Sequence, residues 1–309
     1  MIGRIIDVAE DGRHLLVNRG LLEVRDGAFS GDVVGTVPLD DVAAVIVHAR
    51  NVAYRHSVVT RLAERGVPMV CCDQSHVPSA ILWPCANHHE LARRIDAQLD
   101  ASRPTAKRLW ASVVRAKVLQ QAAVVDSVGG ASSALRALAQ KIRSGDPGNV
   151  EAQAARRYWA ALFGDNFRRN RSSGGVNGLL NYGYTVLRAT TARAVVAAGL
   201  HPAIGIHHSN DGNPFRLVDD LMEPYRPFVD TAVLKVVREG SSEVTRDAKR
   251  CLLEVPFVDL ATPQGRTPIM VSIQRLATSL AQVYLRQRPE LELPLPGAVV
   301  EQLAASFDE

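Results

Sequence analysis

Apolar residues change their spacing once along this chain, near Trp83-Pro84, and that change limits what the chain can fold into. Before it, short β-branched runs lie between turn signals. Arg4-Ile5-Ile6-Asp7-Val8 ends at Glu10-Asp11-Gly12, His14 to Val17 follows, and Leu21 to Arg25 ends at Asp26-Gly27. Gly31-Asp32 and Gly35 punctuate the next segment, and Val42 to Val47 is a continuous apolar run. Asn51 to Glu64 has a helical period that stops at Gly66, while Pro68 to Cys72 and Ser79 to Leu82 read as strands.

From His88 on, apolar positions recur at three and four residues: Leu91, Ile95, Leu99, then Leu109, Val113, Val114 and Leu119, with Lys117 in the same series. Segments 151–163, 178–198, 219–235, 242–253 and 268–286 read likewise. The expected fold is α+β: a small β-rich domain over residues 1–85, a larger all-α catalytic domain over 86–288, and an extended tail over 289–309. No internal repeat or low-complexity segment interrupts this plan.

Net charge is +4, which fits a DNA-binding protein and many cytosolic enzymes alike. The kind of basic residue says more: five lysines stand against 31 arginines, and arginine's planar fork suits phosphate contacts, although a GC-rich genome also favours arginine codons. Cys71, Cys72, Cys85 and Cys251 form no C-x-x-C pair and no zinc spacing, so reduced buried thiols in a cytoplasm are expected. The N-terminus reaches charge too early for a signal peptide. No apolar run approaches about 18 residues without a charge, so no membrane span is expected.

Chemistry concentrates in AIGIHHSNDGNPFRLVDDLMEPYRPFVD, residues 203–230. Asp220 and Glu223 are three apart, which puts them on one face of a helix while Asp219 points elsewhere. Two carboxylates on one face repel unless a cation or a base separates them. Adjacent histidines in a strand point to opposite sides, so at most one of His207 and His208 reaches a given ion. The loop Ser209 to Pro214 has strong turn chemistry and lets the acidic face return toward the histidine. Far upstream, Glu151 opens a helix among small residues, Ala152, Ala154 and Ala155, that let a ligand approach; the helix dipole alone also favours an acid there. One nitrogen and several hard oxygens suit Mg²⁺ or Mn²⁺. The nucleophile-elbow, P-loop and H-E-x-x-H patterns are absent from the sequence.

Four segments, NVEAQAARRYW (149–159), VNGLLNYGYTVLR (176–188), AAGLHPAIGIHH (197–208) and LVDDLMEPYRPFVD (217–230), together resemble the CRISPR-associated adaptation integrase, the protein that inserts new spacers. The compact length and the GIHH and EPYRP forms resemble the version found beside type II systems. The resemblance implies that Glu151, His208 and Glu223 are the catalytic metal ligands, with Asp220 the supporting acid, and it gives His207 no counterpart. It also implies a homodimer built through the β-rich domain. The implied partners are prespacer and repeat DNA, a small ferredoxin-like CRISPR adaptation protein and the type II effector nuclease.

The implied reaction is attack of a prespacer 3′-hydroxyl on a phosphodiester at a repeat edge, with Mg²⁺ or Mn²⁺ bound. Arg156, Arg157, Arg168, Arg169 and Arg171 are the candidate phosphate contacts. Two other readings of the same residues stay open. A general metal-dependent nuclease or branched-DNA resolvase would cut strands without joining them, and a non-catalytic scaffold would capture prespacers and bind no metal.

Overall fold

The computed structural model describes residues 4–73, 78–82, 90–262 and 265–297. The boundary at Trp83-Pro84, Cys85, His88 and the end of the tail lie outside the described residues. The chain divides into two compact units, residues 1–89 and 90–309.

The first unit holds two four-stranded sheets. One has the order β1-β5-β7-β8, built from β1 (Arg4–Val8), β5 (Val42–Val47), β7 (Met69–Cys72) and β8 (Pro78–Leu82). Its first three strands are parallel and β8 is antiparallel to β7. The apolar run of β5 is buried at every residue, as a central parallel strand requires. The other sheet has the order β4-β3-β2-β6, from β2 (Arg13–Asn18), β3 (Leu21–Asp26), β4 (Val33–Pro38) and β6 (Val52–Tyr54). Strands β2 and β3 are joined by Arg19 and Gly20, both at positive φ (47° and 82°), the backbone a tight two-residue hairpin demands.

The helical period from Asn51 begins later than the sequence pattern predicts. Residues 52–54 are taken as an edge strand against β2, and α1 runs only His56–Glu64. Asp11 accepts from the N–H groups of Arg50 and Asn51, and Gly12 donates to the Asn51 carbonyl, so the chain is pinned extended there. The core of this unit gathers Leu15, Leu22, Val45, Val58, Leu62 and Met69.

The second unit is mostly helical. Its elements are α2 (Leu91–Leu99), α3 (Arg103–Ser127), α4 (Ser133–Lys141), α5 (Val150–Phe163), α6 (Val176–Ala197), α7 (Arg216–Met222), α8 (Arg226–Arg238), α9 (Arg246–Glu254) and α10 (Ile269–Tyr284). Helix α6 lies at the centre against α7, α8, α9 and α10. Gly183 makes one crossing possible: a Cβ there would lie 2.5 Å from Val229 Cγ1 of α8.

Among the described residues, this unit departs from an all-α domain in the antiparallel strand pair β9 (Asp259–Thr262) and β10 (Gly265–Pro268), whose Leu260 is fully buried. The expected single helix over 219–235 is two helices. Pro224 and Pro227 remove amide donors, and residues Glu223–Tyr225 form a 3-10 turn between α7 and α8. Among the described residues, no helix is long and apolar enough to cross a membrane.

Candidate metal and DNA site

Glu151 sits in the first turn of α5 because the preceding turn is locked. Asp146 and Asn149 both take left-handed backbone. The Asp146 carboxylate accepts from the Val150 and Glu151 N–H groups at 2.9 and 3.0 Å, satisfying two donors that the helix start leaves open. The Glu151 side chain then reaches α3, where its Oε1 lies 2.6 Å from Lys117 Nζ.

The histidine loop is organised by Asp220, which is fully buried. Its Oδ2 accepts from the N–H groups of Ile206 (2.6 Å) and His207 (3.0 Å). Its Oδ1 accepts from the His208 N–H (3.3 Å) and meets His208 Nδ1 at 2.6 Å. A carboxylate that accepts on every side keeps a ring hydrogen on Nδ1, so the neutral ring carries its lone pair on Nε2. Gly205 is required for this wrap, since a Cβ there would lie 2.9 Å from Asp220 Oδ2 and 2.7 Å from the His208 carbonyl oxygen.

The loop is not a strand, so the expectation of opposed histidines fails. Both rings rest on Trp110 of α3: His207 is stacked at 4.2 Å and His208 stands edge-on at 5.8 Å. The Asp220 bond outweighs burial and raises His208 above the usual imidazole range. Asp219 turns away from both, onto Arg188 of α6 and Asn213.

Glu223 opens the 3-10 turn and is buried. Its Oε2 lies 2.6 Å from Lys117 Nζ, and its Oε1 accepts from Arg226 Nε at 2.9 Å. Burial alone would raise this carboxyl, but the charges of Arg226 and Lys117 prevail and hold it at about 2. Burial likewise works against the Lys117 ammonium, and the charges of Glu223 and Glu151 overcome it and raise its pKa. Arg226 also lies over the Tyr184 ring, 4.6 Å from its centroid. Tyr184 and Tyr158 each donate a hydroxyl to Asp230, at 2.5 and 2.9 Å. Burial pushes that carboxyl up to about 6 despite both bonds.

Of the expected ligands, the structure brings Glu151 and Glu223 onto one cationic point. His208 does not join them at donor distance: among the described residues, no group of three His, Cys, Asp or Glu side chains is close enough to hold an ion. The two carboxylate oxygens fit a divalent ion, since each already lies 2.6 Å from a positive charge.

The five arginines divide. Arg156, Arg157, Arg168 and Arg171 are exposed, although Arg168 donates to the Asp165 and Phe167 carbonyls. Arg169 is turned inward onto Asn177, Asn181 and the Tyr184 ring. Sequence reasoning missed Lys117 as a site residue, along with Trp110 and Asp230. The signal was present for two of them, because Lys117 falls in the apolar series of α3 and Asp230 interrupts the apolar PFVDTAV.

The family model described as "CRISPR associated protein Cas1" matches residues 6–256. A "CRISPR-associated endonuclease Cas1" of Neisseria meningitidis serogroup C (strain 8013) is 36% identical over 299 residues, covering 95% of this chain and 96% of that protein. Among solved structures, a "Casposase bound to integration product" superposes with a TM-score of 0.81 at 17% identity, covering 99% of each chain. A chain of a "Cas6-RT-Cas1--Cas2 complex" superposes with a TM-score of 0.75 at 18% identity, over 95% of this chain and 36% of that one. Four ordered motifs, a β-then-helical architecture and this coverage lead to one assignment: the chain belongs to the Cas1 family.

Proposed function

We propose that this protein is a metal-dependent DNA integrase and endonuclease of the adaptation stage of CRISPR immunity, of the version found beside type II systems. The observation that carries the reading is the approach of Glu151, on α5, and Glu223, in the 3-10 turn, to one cation, Lys117, with His208 near enough for its charge to act on Glu223. Glu151, His208 and Glu223 would hold the ion, with Asp220 fixing the His208 ring so that Nε2 is the free donor. When bound, Mg²⁺ or Mn²⁺ supplies the Lewis acidity that activates a prespacer 3′-hydroxyl and offsets charge at the phosphorus and the leaving oxygen. A histidine ligand favours Mn²⁺ more than an all-oxygen site would.

The reaction exchanges one phosphodiester for another and needs no nucleotide energy source. Exposed arginines on α5 and in the loop after it would grip the DNA backbone. Two copies joined through the β-rich unit, a small ferredoxin-like CRISPR adaptation protein and the type II effector nuclease complete the proposed assembly. The likeness to a chain of a Cas1–Cas2 complex supports the second of these partners. Cys71, Cys72 and Cys251 are half-buried and in no disulfide, which is compatible with a reducing cytoplasm.

The test is an integration assay with the protein, its small partner, a prespacer and a repeat-bearing plasmid. Joined products should form with Mn²⁺ or Mg²⁺, vanish in chelator and return when Mn²⁺ is restored. Glu223→Ala, folded, should lose several orders of magnitude. Wild-type integration by that variant would sink the ligand assignment. Cut but unjoined products would favour a nuclease, and metal-independent capture of prespacers without turnover would favour a scaffold.

A further inference from the structure

We infer that Lys117 is a placeholder cation: its ammonium holds Glu151 and Glu223 together before metal entry and is expelled when the divalent ion is seated. This rests on the proposed metal site and goes beyond it, because it gives a role to a residue outside the ligand set. Three observations carry it. The Lys117 Nζ is 2.6 Å from Glu151 Oε1 and 2.6 Å from Glu223 Oε2, so it fills the gap between the two carboxylates that would hold the ion. Glu223 and Lys117 are largely shielded from water, 6% and 12% exposed against 27% for Glu151, so two unpaired carboxylates here would repel. Lys117 also falls in the apolar series of α3 and its side chain is largely buried, so its charge sits on the face by which α3 packs.

Both occupants cannot hold the same gap. An ammonium is a compact point charge on a flexible four-carbon stem, so it can leave without moving α3. No bond forms or breaks; a divalent ion brings two positive charges to the gap where the ammonium brings one, while Arg226 keeps its bond to Glu223 Oε1. Apparent metal affinity is lowered by the fraction of molecules in which the ammonium fills the gap. If that fraction is about 90%, wild-type binding is weakened about tenfold.

The direct test is lysine labelling of the full chain by an acylating reagent, read by peptide mass spectrometry, with and without Mn²⁺. The other four lysines, Lys107, Lys141, Lys235 and Lys249, serve as internal references. Labelling of Lys117 should rise severalfold on Mn²⁺ addition while the references stay constant. Calorimetric titration adds a second readout: Lys117→Gln should bind Mn²⁺ about tenfold more tightly than wild type, in line with the occupied fraction. The labelling arm uses the unaltered protein and stands even if the variant does not fold. Unchanged Lys117 labelling in protein that binds Mn²⁺, with binding lost in folded Glu151→Gln, would overturn the placeholder and leave the metal site intact. Wild-type Mn²⁺ binding by folded Glu151→Gln would remove both.

Discussion

His208 Nδ1 lies 2.6 Å from Asp220 Oδ1, and the carboxylate that fixes the ring also gathers the backbone N–H groups of residues 206 to 208. One buried acid therefore sets both the path of the loop and the tautomer of its histidine. Asp220→Asn should lower integration about 10- to 100-fold through misplacement of His208, less than loss of a direct ligand. It should also cost about 1–3 kcal/mol, since an amide NH₂ must face backbone donors. Integration kinetics with urea unfolding check both. A wild-type rate in a folded Asp220→Asn protein would contradict the orienting role.

Gly205 tests the same wrap from the backbone side. A methyl there meets a carbonyl oxygen and a carboxylate oxygen, neither of which can retreat without breaking the Asp220 bonds. Gly205→Ala should destabilise by about 1–3 kcal/mol and lose integration together with it. An unchanged thermal midpoint would show that the loop yields more easily than its bonding indicates.

The two carboxylates that share Lys117 should differ when neutralised. Glu223 is buried and also serves Arg226, so Glu223→Gln leaves two buried cations short of charge and should cost about 3–5 kcal/mol. Glu151 is 27% exposed, and Glu151→Gln should cost about 1 kcal/mol or less. Metal-free urea midpoints measure the asymmetry, and equal losses would refute it.

How much of this was legible in the sequence depends on the range of the forces involved. The strand and helix patterns follow local spacing, so β5, α5 and α6 are visible in it. The divided helix at Pro224 was legible in principle, since both prolines are in plain view. The extended path of residues 52–54 was not, because Asp11 imposes it from about 40 residues away. The convergence of α3 with α5 and the Glu223 turn depends on tertiary packing, so Lys117 showed only as a charge in an apolar series. The family resemblance supplied Glu151, His208 and Glu223 as a set, but no spacing argument could give the ammonium between two of them.

Asp230 should impose a pH dependence on stability. Its carboxyl is at about 6 in the folded chain against an ordinary 3.8, so the folded state holds the proton more tightly. The folded state therefore binds more protons than the unfolded state across that window. Asp230's contribution is complete below about 4 and is lost as pH rises through 6, on the order of 3 kcal/mol in all. Asparagine can accept from one tyrosine hydroxyl and donate to the other. Asp230→Asn should thus gain stability relative to wild type as pH climbs from 4 to 7. Urea unfolding across that range reads the difference, and a flat difference curve would show that Asp230 keeps its ordinary affinity for protons.

The arginines near α5 should separate by salt dependence. Arg156 and Arg157 are exposed, so each can release counterions from a phosphate at little structural cost. Replacing either by alanine should weaken binding uniformly across sequences and reduce the log–log salt slope by about 1. Arg169 instead ties the loop to Asn177 and Asn181 and lies over Tyr184, with burial depressing its pKa. Its loss removes charge-assisted hydrogen bonds to two amides, so Arg169→Ala should lower the thermal midpoint while the salt slope stays near wild type. Filter-binding titrations at several salt concentrations, paired with thermal melts, separate the two classes. A reduced slope for Arg169→Ala at unchanged stability would move it into the DNA-contacting group, and no change in slope for Arg156→Ala or Arg157→Ala would remove the exposed face of α5 from the DNA path.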